Sequence, residues 1–340
     1  MMTGRRMLSL LCLVSMLAAG VPANHVHAQE GGLGLFGGGG AGLGGRMIWS
    51  DEVIYDDYRI QKHSLIGHYR LIDPEDVRVV RGTYALCQAK LDEIKVSQKL
   101  PSLPKDVVIV LHGLGAYRHF MNGISNYLRD QGGFYVINVG YPSTMLEIED
   151  YAQSLDSVIR HLDGVENISF VAHSMGNIVV RKYLKNLEGL TPAMRPQVKF
   201  QRMVMISPPN HGAEIADSLG DNETMAKLAD MFAGSAAKAL APLQGWPELE
   251  KQLVTPDFEF GIIAGGRGDD TGYLAAIPGD DDSLLSVQTM KLIGATDFIQ
   301  TRGLHQLMPN YEEVRAATLN YLKNGYFVAA NARRPIAAAR

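Results

Sequence analysis

Apolar and polar positions change period several times along the chain, and those changes mark out its elements. Residues 57–72 alternate apolar and polar about Gly67, the period of a β-hairpin at the edge of a sheet. Residues 83–98 have helical spacing through Leu86, Leu91, Ile94 and Val96 and stop before Pro101 and Pro104. The run Val107-Val108-Ile109-Val110-Leu111 is continuously apolar, as a strand covered on both faces of a parallel sheet must be. Beyond it the two periods alternate: helix 120–129, strand 134–139, helix 146–162, strand 168–173, a helix from Met175 to about Leu187, and strand 200–206. Alternation at this length predicts an α/β class fold, a mostly parallel doubly wound sheet with right-handed crossovers and an N-terminal antiparallel hairpin. A helical insertion at 213–253, with Ala- and Met-rich stretches at 225–232 and 236–243, interrupts the alternation and has the makings of a lid. Strands at 258–264 and 291–298 and a closing helix at 311–322 follow, and 333–340 reads as a frayed tail.

The two ends do not share this patterning. Residues 1–28 carry Arg5 and Arg6, an apolar run at 7–19, and Val26-His27-Ala28 before Gln29, the make-up of a removable secretory leader. Its apolar run is too short to span a bilayer comfortably. Residues 29–46 are glycine-rich and lose too much backbone entropy to fold alone, so they read as a spacer. One folded domain is therefore expected at 47–328, with a flexible tail at 329–340. The chain is expected in the periplasm or secreted, with no stable membrane span once the leader is gone.

Composition narrows the chemistry. The formal charge of −4 becomes −6 without Arg5 and Arg6, which is no footprint for nucleic acid or for an anionic membrane surface. Cys87 is the one cysteine outside the leader, so neither an intrachain disulfide nor a cysteine-ligated metal cluster is available, and stability must come from a core. No metal or cofactor is expected.

The candidate chemistry centres on Ala172-His173-Ser174-Met175-Gly176, where a strand runs directly into a helix. A serine at such a corner is forced into a strained backbone conformation that small residues two before and two after it make possible. The corner lifts Oγ clear of the sheet and leaves the N–H of Met175 aimed at whatever Oγ attacks. A serine hydroxyl needs a base and a group to orient that base. Of ten histidines, His305 lies after the last strand and before the last helix, the right place for the base. His112 opens the His112-Gly113-Leu114-Gly115 loop, whose Leu114 N–H is the expected second oxyanion donor, and His173 cannot reach round to the adjacent hydroxyl. His112, Gly113, His173 and His211 are expected to border the substrate, while His63, His68, His119 and His161 read as surface or packing residues. The orienting acid must fall between Ser174 and His305, and position alone does not choose among Asp269, Asp270, Asp280, Asp281 and Asp282.

Over about residues 65–327 the chain resembles the lipase-type serine hydrolases of the α/β-hydrolase superfamily. The stretches that carry the resemblance are VVIVLHGLG, the turn 141–144, FVAHSMGNIVVRKYL, RMVMISPPNHGAEIAD, IPGDDDSLLSV and LHQLM. Similar proteins have Asp-Gly-Val-Val where this chain has Asp282-Ser283-Leu284-Leu285, and the resemblance implies Asp282 as the triad acid. Ser283 in place of glycine, and Ala172 in the first glycine position of the elbow, are departures from the pattern. What the resemblance implies is a carboxylic ester hydrolase, esterase or lipase, working on a small-molecule or lipid ester through Ser174, His305 and Asp282. An acyltransferase using the same triad, or a non-catalytic binding module on the same fold, would share most of these features.

Overall fold

The computed structural model describes residues 48–213, Leu240 and 245–338. The leader, the spacer and most of the 213–253 insertion, with the expected lid, lie outside the described residues.

The chain begins with an antiparallel sheet of four strands in sequence order, β1 (Trp49–Tyr55), β2 (Tyr58–His63), β3 (Tyr69–Ile72) and β4 (Arg78–Gly82). The alternation at 57–72 announced only the β2–β3 hairpin, whose turn holds Gly67 at φ +65°. β1 was not legible because it is covered on both faces with no exposed position, and β4 because none of its residues is fully buried. Helix α1 (Tyr84–Ser97), capped by the Thr83 hydroxyl accepting from the Leu86 N–H, lays Cys87, Leu91 and Ile94 against Val53, Ile60 and Leu71.

The second sheet has six strands, all parallel: β5 (Asp106–Leu111), β6 (Tyr135–Val139), β7 (Asn167–His173), β8 (Lys199–Ile206), β9 (Glu259–Gly266) and β10 (Asp297–Arg302), in the order β10-β9-β8-β7-β5-β6. The helices between them are α2 (Asn122–Asp130), α3 (Ile148–Arg160), α4 (Met175–Glu188), the short α5 (Trp246–Glu250) and α6 (Val287–Met290), and the closing α7 (Glu312–Asn324). Alternate residues of β5 divide between two cores. Val107, Ile109 and Leu111 pack with α3 and α4, while Val108 and Val110 pack with Ile124 and Leu128 of α2 and Val314 and Tyr321 of α7. That division is why the run read as continuously apolar. The chain leaves β5 for β6 on one side and returns to β7 on the other, so the strand order reverses at the carboxyl ends of β5 and β7, where open α/β sheets form their clefts. With the antiparallel sheet at its start, this is the α/β-hydrolase fold. No helix among the described residues is long and apolar enough to cross a membrane.

A buried clasp joins the two sheets. Asp51, fully buried, takes Arg59 Nη1 at 2.6 Å, Gln61 Nε2 at 2.7 Å and the Gly140 N–H at 2.7 Å, while its own N–H donates to Gly140 O. Arg59 also donates to Asn138 O and Arg129 to Val136 O. These side chains fill the hydrogen-bonding positions along the outer edge of β6.

Two expectations near the carboxyl terminus change. The strand expected at 291–298 begins only at Asp297, because Gly294 turns the chain at φ +100° while Leu292 and Ala295 drop into the core and Ile293 faces outward. Apolar content there reflects packing of a turn. The tail expected to fray from Arg333 is held as far as Ile336, whose backbone exchanges hydrogen bonds with Gly294 and Ala295, and Arg334 N–H donates to Asp297.

Candidate active site

Ser174 sits between β7 and α4 at φ 52°, ψ −128°, a conformation that costs an ordinary L-residue on the order of 1–3 kcal/mol. The surroundings hold it there. The Ser174 N–H donates to Ile206 O, and Asn177, fully buried one turn into α4, donates its Nδ2 to Ser174 O at 2.9 Å. The small neighbours are required by space. A side chain at Gly176 would start 2.7 Å from His112 O, and Ala172 lies fully buried beside Leu111 of β5. Nothing in the sequence singled out Asn177; a polar residue three after the serine on an otherwise apolar helix face was the available signal.

Ser174 Oγ lies 2.8 Å from His305 Nε2, and His305 Nδ1 lies 2.7 Å from Asp282 Oδ2. With Asp282 ionised, Nδ1 carries the proton and Nε2 is left as an acceptor for the serine hydroxyl. β9 and β10 pair in register to their last residues, Gly266 opposite Arg302, so the loops that follow them leave side by side. The His305 N–H also donates to Asp282 O at 2.7 Å, tying the two loops through the backbone. Gly265 makes room for the acid, since a Cβ there would lie 2.9 Å from Asp282 Cβ.

The three consecutive aspartates have separate tasks. Asp280 accepts from the Arg267 and Gly268 N–H groups and from Gln300. Asp281 accepts from the Leu274 and Ser283 N–H groups, and burial pushes its carboxyl above the usual range. Only Asp282 faces the imidazole; its other oxygen accepts from the Leu284 and Leu285 N–H groups, which fixes the carboxylate plane. Ser283, where similar proteins have glycine, adopts φ +86° with its buried Oγ unpartnered. Ser283→Gly is therefore expected to stabilise the fold by about 1 kcal/mol or less with activity unchanged, as read by urea unfolding. A loss of stability would mean that the serine hydroxyl contributes here.

The loop after β5 closes against the serine. A Cβ on Gly113 would meet Ser174 Cβ at 2.8 Å and Oγ at 3.4 Å, so only glycine lets this loop approach. His112, expected to border the substrate, is instead fully buried, stacked on Tyr141 with ring centroids 4.0 Å apart. Burial pushes its pKa down to about 4, so the ring is neutral, and its Nδ1 lies 3.0 Å from Gly113 O. The ring thus donates to that carbonyl and turns the N–H of the same peptide, that of Leu114, the opposite way. Tyr141 completes the brace by donating its hydroxyl to His112 O. The Met175 N–H opens α4, where helices leave their first N–H groups unbonded. Among the described residues neither the Leu114 nor the Met175 N–H has a hydrogen-bond partner.

His173 is buried beneath the site and donates Nε2–H to His305 O at 2.9 Å, its pKa held well below the usual value by burial and then by His305. It braces the loop that carries His305. His211 is not brought to Ser174: it is half exposed, with Nδ1 3.8 Å from Glu250, because its neighbour Asn210 takes the inward position. Asn210 accepts from Arg181 of α4 and donates to Met290 O, linking the helix behind Ser174 to the end of α6. Among the described residues no group of three or more His, Cys, Asp and Glu side chains is placed to hold a metal ion.

No family model matches the chain, and no curated protein matches its sequence. Similar solved structures include a lipase of Bacillus licheniformis in its mature form, at 16% identity and TM-score 0.48 over 66% of this chain and 91% of that one. A hydrolase of Oleispira antarctica is similar at 16% identity and TM-score 0.44 over 66% and 93%. A lipase of Staphylococcus hyicus is similar at 12% identity and TM-score 0.42 over 61% and 89%.

Proposed function

We propose that the chain is a lipase-type serine ester hydrolase, exported to the periplasm or beyond, that cleaves carboxylic esters of acyl lipids. The observation that carries this reading is the continuous relay from Ser174 Oγ through the His305 ring to Asp282 at 2.8 and 2.7 Å. His305 Nε2 takes the hydroxyl proton as Oγ bonds to the ester carbonyl carbon, and Asp282 stabilises the imidazolium. The Leu114 and Met175 N–H groups receive the oxyanion, a contribution of about 3 to 4 kcal/mol per donor. Collapse breaks the bond to the alcohol oxygen, which leaves with the proton from His305. Water, deprotonated by the same nitrogen, then releases the acid from Ser174. Gly113 borders the reacting carbon, while His112 and His173 hold the parts that touch it.

The preference for acyl lipids rests on the apolar insertion that precedes β9 and on the leader-like first 28 residues. A fluorophosphonate probe is expected to label the peptide bearing Ser174, and nitrophenyl esters are expected to turn over faster as the acyl chain lengthens. Labelling elsewhere overturns the nucleophile; a steep preference for acetyl esters overturns the lipid substrate.

A further inference from the structure

The net negative charge of the chain conceals a local reversal. Residues 58–72 and 77–91 contain no Asp or Glu but hold Arg59, Lys62, Arg70, Arg78, Arg81 and Lys90. Arg59 is spent on Asp51 in the buried clasp. Lys62, Arg70 and Arg81 gather at one end of the antiparallel sheet, where β2 turns into β3 and β4 leads into α1, and none of the three forms a salt bridge with a carboxylate among the described residues. Arg70 and Arg81 are direct cross-strand partners, an arrangement of like charges that costs stability; Asp51 and Asp76 act on Arg70 from a distance without forming an ion pair with it. The Arg70 guanidinium is held in place 4.1 Å above the Trp49 ring and by Gln61 Oε1. His63, beside them, is kept below its usual pKa by partial burial and then by the charges of Arg81 and Arg70.

At the same end the chain exposes apolar side chains where a turn would ordinarily be polar. Leu65 and Ile66 form the tip of the β2–β3 turn at 68% and 54% exposure, and Leu86, packed over Gly82 where β4 leads into α1, is 49% exposed. The direction of the tip follows from the clasp. β1 runs antiparallel along β6, with Asp51 at Gly140 beyond the carboxyl end of β6 and the Asp56 N–H on Tyr135 at its start. Trp49, His63 and the turn therefore lie toward the carboxyl ends of the parallel strands, the end that carries Ser174.

We propose that this end of the antiparallel sheet docks on an anionic lipid surface, with Leu65 and Ile66 entering the interface and Lys62, Arg70 and Arg81 facing the headgroup phosphates. Apolar side chains at a tip and cations set behind it match the layering of a lipid surface, hydrocarbon beneath phosphate. A soluble anion would satisfy the arginines and leave the Leu65-Ile66 tip without a role.

Co-sedimentation with vesicles of phosphatidylcholine alone, or mixed with phosphatidylglycerol, tests this with the full chain carrying Ser174→Ala, so the result does not depend on ester hydrolysis. Binding is expected to the phosphatidylglycerol vesicles, weakening as salt is raised. Lys62→Gln with Arg81→Gln is expected to weaken it by about five-fold per cation removed, and Leu65→Ser with Ile66→Ser by about ten-fold or more. Lys251→Gln, an exposed cation elsewhere, is expected to leave it unchanged. Lys62, Leu65, Ile66, Arg81 and Lys251 are all exposed, and unaltered thermal unfolding establishes that the variants fold. Equal binding to both vesicle types, or wild-type binding by both double variants, overturns the proposal. Capture of a DNA duplex without capture of either vesicle overturns the lipid assignment.

Discussion

Ser174→Ala is expected to lower kcat/KM for a nitrophenyl ester by a factor on the order of 10⁴ to 10⁶, with little change in stability. The strained backbone at Ser174 is held by the Ile206 carbonyl and Asn177, neither of which depends on the hydroxyl. The His305–Asp282 hydrogen bond also survives the change. What is lost is the hydroxyl oxygen proposed as the nucleophile. Because the relay acts as a unit, adding His305→Ala to Ser174→Ala should lower the rate little further. Steady-state kinetics on the single and double variants check both statements. A single variant keeping more than about a hundredth of the activity would move the nucleophile away from Ser174.

Asp282→Asn is expected to cost a factor of about 10⁴ in kcat while leaving the site nearly superimposable. An amide nitrogen facing His305 Nδ1 drives the proton to Nε2, and that nitrogen then cannot accept the Ser174 proton. Asp280→Asn and Asp281→Asn make the decisive comparison. Asp280 anchors the turn after β9, and Asp281 anchors the loop at 272–274. Their loss is expected to show in unfolding midpoints, with kcat kept within about ten-fold of wild type. A larger fall in kcat from either neighbour than from Asp282 would reassign the acid.

The sequence made the parallel sheet legible because its strands are buried on both faces and its helices on one, so the two periods separate cleanly. The antiparallel sheet was half hidden. β1 carries Asp51 and β2 carries Arg59 inside the protein, and a buried ion pair reads in a sequence as exposed polarity. The start of β10 was misplaced for the opposite reason, since Leu292 and Ala295 are buried without being strand. Ser174 and His305 could be found from chain order, as each follows a strand at the cleft end. Asp282 could not be separated from Asp280 and Asp281 in that way, because the choice depends on which carboxylate a tight turn aims at the imidazole. His112 and His211, expected to border the substrate, lie elsewhere than the sequence suggests. The first is buried by Tyr141, a contact 29 residues along the chain, and the second is displaced outward by Asn210.

The clasp at β6 also bears on how the molecule behaves among copies of itself. An outermost strand with open carbonyls is a template on which another chain can add. Here Arg59, Arg129 and the backbone of Asp51 occupy the carbonyls of Val136, Asn138 and Gly140. Asp51 and Arg59 of the antiparallel sheet, with Arg129 of α2, therefore leave these carbonyls along β6 closed to another strand. A protease cut that released β1 and β2 is expected to bare these carbonyls and to promote self-association, as light scattering would read.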